Sequence, residues 1–171
     1  MDNVKLFLEI VGLITTGISV LVLLTTIIAW FLGISPLLYR LGLGRWRRNI
    51  KILANIDNYN SLKGDLVDSG IFRDKNINQI SDQNLSKVKD SNLLLLHYKS
   101  FTADQIKTIL KNKKATAGMV VYFPDYSPTN KIPEDINKLI NNEPHCVLVN
   151  FRGRLINDVL VTLLSTSYDK K

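Results

Sequence analysis

The chain is predicted to be α/β: one N-terminal transmembrane helix followed by a small doubly wound, mainly parallel five-stranded sheet. Three observations predict it. Residues 10–39, IVGLITTGISVLVLLTTIIAWFLGISPLLY, carry no charged side chain. Residues 49–171 alternate short apolar runs with helix-patterned segments five times over. Three of those runs, NLLLLHY, AGMVVYF and CVLVNF, lack polar alternation, as expected of central parallel strands covered on both faces.

Residues 1–9 form a short N-terminal flank, and residues 10–39 the transmembrane helix with an interfacial turn. About 20 apolar residues cross a bilayer as a helix, so the run suffices for one span and lacks the central turn of two. A cleaved signal peptide is the competing reading, but it has a shorter apolar core and a basic start. Here the basic residues follow the run: RLGLGRWRR, residues 40–48, holds four arginines. The positive-inside rule then expects a single-pass protein of the cell inner membrane, N-terminus outside and C-terminal domain in the cytoplasm. Trp30, Tyr39 and Trp46 suit interfacial anchoring, and Arg45, Arg47 and Arg48 suit contact with anionic head groups.

The span has a polar side. At 100° per residue, Glu9, Gly12, Thr15, Thr16, Ser19 and Thr26 share an arc of roughly 120°. Gly12 and Thr16, like Thr15 and Ser19, stand four apart, the spacing that lets membrane helices approach closely. The face is read as a homo-oligomer contact. The alternative is that the hydroxyls bond back to their own helix.

In the domain, residues 49–171, strands are expected at 49–55, 75–80, 92–98, 117–123 and 146–151. Leu62, Leu66 and Val67 pattern a helix after the first strand, and Leu85 and Val88 a short one after the second. Thr102 and Gln105 form a capping box ahead of Ile106, Ile109 and Leu110. Pro133 sits just inside the next helix start, with Glu134 and Asp135 at its positive end. Leu155, Ile156, Val159, Leu160, Leu163 and Leu164 give the last helix a broad apolar face, enough for the sheet and a partner subunit. Right-handed crossovers and the flavodoxin-like order 2-1-3-4-5 are the expected topology.

Charge and cysteine content narrow the functional classes. Residues 49–171 hold 17 basic and 13 acidic side chains, with the signs well mixed in sequence, which is not the footprint of a nucleic-acid binder. The single cysteine, Cys146, excludes an intrachain disulfide and suits a reducing compartment. Two histidines and one cysteine, far apart, compose no metal site. GxGxxG after the first strand, GxxxxGK[ST] and GxSxG are all missing, so no cofactor is indicated.

Ligands of such sheets bind beyond the carboxyl ends of the strands. Asn55 and Asp57 follow the first strand, His97 and Tyr98 end the third, Asp125 follows the fourth, and Asn150, Arg152 and Arg154 follow the fifth. These eight are the candidate ligand-binding residues; no residue is assigned a catalytic role. Arg152 and Arg154, at a helix N-terminus, suit a phosphate or carboxylate. Their competing role is to bridge to Asp158, Asp125 or a partner subunit. His97 is either a donor or base facing the crevice, or a structural histidine. A response-regulator receiver needs an acidic pair, an aspartate and a lysine where this chain has Asn55 and Asp57, His97 and Arg152. That phosphorylation chemistry is therefore excluded.

A membrane helix joined directly to a small cytosolic Rossmann-like domain resembles the membrane effectors of bacterial antiphage signalling, with their TIR-like or CRISPR-associated-Rossmann-like sensors. The resemblance spans the whole chain in layout and rests on no diagnostic motif. It implies a homo-oligomer that senses a nucleotide messenger and perturbs the membrane. NAD cleavage is not implied, because residues 82–89 lack the glutamate that TIR enzymes place on a pocket-facing helix. A membrane-tethered adaptor for a protein partner, without a small ligand, is the second reading. An enzyme acting on a nucleotide or lipid head group is the third.

Overall fold

A computed structural model of the chain describes residues 2–124, 127 and 129–166. They divide into two compact units, residues 1–42 and 43–171.

The first unit is built on helix α1 (Asp2–Phe31), among the described residues the one helix long and apolar enough to cross a membrane. It starts well before Ile10, since neither Lys5 nor Glu9 breaks a helix. Its 30 residues span about 45 Å, more than the ~30 Å hydrocarbon core. At Gly33, with φ of 71°, the helix stops, and the Gly33 N–H reaches the Trp30 carbonyl at 3.0 Å. A left-handed glycine at this position is the common way to end a helix. The chain resumes as α2 (Ile34–Arg47), which crosses into the second unit, so the turn of the 10–39 segment lies at Leu32 and Gly33 and most of the basic stretch is helical.

The hydroxyls of the polar side donate to their own helix. Thr15 bonds the Val11 carbonyl at 2.7 Å, Thr16 that of Gly12 at 2.8 Å, Ser19 that of Thr15 at 2.8 Å and Thr26 that of Val22 at 2.7 Å. This is the back-bonding alternative.

The second unit is a Rossmann-like α/β domain. Five parallel strands, β1 (Ile50–Leu53), β2 (Ile77–Ile80), β3 (Leu93–His97), β4 (Gly118–Tyr122) and β5 (Cys146–Val149), lie in the order β2-β1-β3-β4-β5. That is the expected order. The β1 strand pairs in parallel with β2 on one side and β3 on the other. One face of the sheet is covered by α3 (Ile56–Asp68) and α6 (Arg152–Ser165), through Leu62, Leu66, Leu155, Val159 and Leu163. The other takes α4 (Ala103–Asn112), α5 (Glu134–Asn142) and a short 3-10 segment, Asp82–Asp90, through Ile106, Ile109, Ile136, Ile140 and Val88. Two-sided cover explains why the central strands are apolar without alternation. The capping box forms: the Thr102 hydroxyl accepts from the Gln105 N–H at 3.4 Å and the Gln105 side chain from the Thr102 N–H at 2.9 Å. Pro133 is the residue before the first helical position of α5 rather than inside it.

Two details concern the last helix. The first residue of β4, Gly118, lies so close to α6 that a Cβ there would meet Thr162 Cγ2 at 2.6 Å. Arg48, expected at the lipid surface, is instead buried against the C-terminus of α6. It donates to the Leu163 carbonyl, to the Thr166 hydroxyl and, at 2.9 Å, to the Thr166 carbonyl. The last carbonyls of a helix lack intrahelical partners, and a cation there also meets the negative end of the dipole.

Candidate functional site at the carboxyl edge of the sheet

All helices that follow strands run back against them, so the strands' carboxyl ends and the helix N-termini gather at one edge. The candidate residues fall there in three groups rather than one.

The first group lies where β1 and β3 diverge. Asn55 caps α3, its Oδ1 accepting the Asn58 N–H at 3.1 Å. His97 is buried at the end of β3, and its Nδ1 lies 2.8 Å from Ser100 Oγ and 3.4 Å from Asn58 Nδ2. An amide nitrogen can only donate, and Ser100 Oγ already accepts the Asn55 N–H at 3.3 Å, so its own proton is available to the ring. Nδ1 thus has two polar partners, Ser100 and Asn58, that fix the orientation of the ring. The Tyr122 ring stands 6.0 Å from His97. His97 is therefore tied into a structural network. Asp57, in the first turn of α3, is exposed.

The second group ties α3 to α6. Arg152 donates to both carboxylate oxygens of Asp65, at 2.8 and 2.9 Å, and to Ser61 Oγ at 2.7 Å. The bidentate contact with Asp65 raises the pKa of the guanidinium further above its ordinary value. Arg154 is exposed, with Asp158 at 3.7 Å one turn on. The bridging alternative holds for both arginines, but the partner of Arg152 is Asp65, which was not among those anticipated.

The third group is on the opposite face. Asn150 shares a cleft of about 240 Å³ with Phe123, Lys131, Ile132, Asn137 and Leu148. Its floor is apolar, with Phe123 and Ile132 buried, and its rim offers one ammonium and two amides. Tyr98 packs on Phe123 with ring centroids 4.9 Å apart, and burial, more than the nearby Asp135 carboxylate, raises its phenol pKa. Asp125 lies outside the described residues. Among those described, no three His, Cys, Asp or Glu side chains cluster as a metal site.

Lys131 and Asn137 were missed in the sequence. Their one signal is position, since they flank the start of the helix that follows β4. Asp65 and Ser61 had none, because a position on a helix does not reveal a partner 87 or more residues away.

Comparison with protein-family models, curated proteins and solved structures finds no match to this chain.

Proposed function

We propose that the chain is a single-span membrane protein of the cell inner membrane whose cytoplasmic domain binds a small phosphate-bearing ligand, a nucleotide being the class considered first. The ligand controls self-association of the chain, and through it the state of the membrane, as in a defence effector. A flavodoxin-like or TIR-like label for the domain belongs to the same proposal. The observation that carries the ligand reading is the cleft at the carboxyl ends of β4 and β5, where Lys131, Asn137 and Asn150 rim an apolar floor. A cation and amides over an apolar base suit a phosphate attached to a flat or apolar body. A ligand acts on assembly only by binding one arrangement better than the other.

The test is a thermal-shift series on the full chain in detergent against linear and cyclic nucleotides. Selective stabilisation that disappears in Lys131→Ala and Asn150→Ala, but survives in Arg152→Ala, supports the cleft. No shift with any nucleotide, from a folded chain, removes the ligand reading.

A second reading, a membrane-tethered adaptor docking a protein partner, is favoured by one observation. Exposed apolar side chains concentrate on β5 and beside it: Val147, Leu148 and Phe151, with Leu139 on α5 and Val161 on α6. Both arginines expected to hold an anion already face carboxylates of the chain, which also suits this reading.

A further inference from the structure

The charges of the second unit, well mixed along the sequence, are sorted by the fold. At the amino edge of the sheet, six cationic residues are exposed: Arg47, Lys75, Lys87, Lys89, Lys111 and Lys114. The exposed acids at that edge are Asp68, Asp74 and Asp90, and Asp74 is held by Lys63 at 2.7 Å. At the carboxyl edge the balance reverses. Asp57, Asp82, Asp104, Glu134 and Asp135 are exposed there, against Lys99, Lys131, Arg152 and Arg154. Part of the sorting has a local cause: helices prefer acids in the first turn and bases in the last, and these helices all point the same way. Asp57, Asp82, Asp104, Glu134 and Asp135 sit in first turns, and Arg47, Lys75, Lys87, Lys89 and Lys111 in last turns. Lys114 and the half-buried Arg73 lie in loops, which that preference does not reach.

The same edge is where the chain arrives from α2, with only Arg48 and Asn49 between Arg47 and the first residue of β1. It also carries Trp46, 62% exposed, with the Arg73 guanidinium 4.0 Å from its ring. Tryptophan beside arginine and lysine is the composition of a bilayer interface, where the ring sits among head groups and the cations meet lipid phosphates. A single-stranded nucleic acid would also stack on an indole, but only a bilayer accounts for finding that indole and the cations where the chain leaves the helix that follows the apolar span.

We infer that the amino edge of the domain is a docking surface for an anionic lipid bilayer. The inference rests on the reading of α1 as a span for the side from which the bilayer approaches. Docked this way, the basic edge lies against the head groups. The carboxyl edge, with the cleft, then faces away from them, where a soluble ligand reaches it.

The full chain is placed in vesicles of phosphatidylcholine alone and of phosphatidylcholine mixed with phosphatidylglycerol. Amide exchange is then followed at low and high salt. Residues 73–76, 86–90 and 111–116 should exchange several-fold more slowly in the anionic vesicles, with the difference lost in high salt, while residues 55–58 and 98–104 are unchanged. The combined reversal Lys87→Glu, Lys89→Glu, Lys111→Glu and Lys114→Glu should abolish the protection without releasing the chain from the vesicles. Equal exchange in both vesicles, in a chain that resists alkaline extraction, overturns the docking surface and leaves the span. Extraction from neutral vesicles, with protection by anionic ones retained, removes the span and keeps the surface. Protection of these segments by polyuridylate but not by anionic lipid overturns the inference in favour of nucleic acid.

Discussion

Arg152 and Asp65, 87 residues apart in sequence, form a two-bond pair that joins the N-terminus of α6 to the last turn of α3. Both side chains keep solvent contact, at 55% and 29% exposure, so the pair is screened. A double-mutant cycle of Arg152→Ala and Asp65→Ala should give a coupling of about 0.5 kcal/mol, falling with salt. A coupling several times larger would mean that the pair is held far more rigidly than its exposure implies. Because Asp65 occupies the guanidinium, Asp65→Asn is also the variant that should uncover anion binding by Arg152. Phosphate protection of Arg152 from arginine-selective modification in Asp65→Asn, and not in the parent, measures it.

Replacing Arg48 should be costly in a way its sequence context hides. Arg48→Met keeps most of the stem volume but leaves the Leu163 and Thr166 carbonyls without their donor, at a cost of about 2 kcal/mol. Chemical denaturation of the full chain in detergent reads this directly. Arg47→Met, one position earlier and exposed, should shift the midpoint by much less.

The contact of Gly118 with α6 gives two opposed expectations. Gly118→Ala should destabilise by about 1–3 kcal/mol, since the new methyl meets Thr162 and Thr166 across a packed interface. Thr162→Ser removes the nearest atom and should relieve part of that loss. By contrast, Thr162→Val should be neutral or stabilising, because Thr162 Oγ1 is buried without a hydrogen-bond partner and a methyl fits its shape. A loss above about 1 kcal/mol in Thr162→Val would mean that a bound water serves the hydroxyl.

Cys146, half-buried at the start of β5, should react slowly. Burial, the leading cause, pushes its thiol up to about 12 from the ordinary 9. At pH 8 the thiolate is then depleted by roughly a hundredfold to a thousandfold, and alkylation should slow in proportion relative to the unfolded chain. Because the folded pKa is raised, the associated stability is full below the unfolded value near 9. It is lost as pH climbs towards about 12. Labelling of the folded chain as fast as the unfolded one would contradict this burial.

The sheet was legible because its signals are local. Leu93–Leu96 and Met119–Val121 are apolar on both faces, and Thr102 with Gln105 marks a helix start within four residues. The end of α1 was legible only in part: Gly33 was available as a stop signal, but thirty residues without charge outweighed it. The partners of Arg152 and Arg48 were not legible at all. Each is decided by which helices share a face of the sheet, and a guanidinium at a strand end reads the same whether it awaits a ligand or holds an aspartate. Of the eight candidate residues, the seven that are described lie at the carboxyl edge in three separate groups.

The position of β1 has a mechanical consequence. It is the strand joined to α2, and it is hydrogen-bonded along its length to β2 on one side and β3 on the other. A pull along β1 through Asn49 loads both ladders in shear, so their bonds are strained together rather than opened one by one. Had the tether led into an edge strand, the same force would have worked against a single ladder. The attachment is to an internal strand, flanked on both sides, where the domain resists a pull along the chain better than it would at an edge.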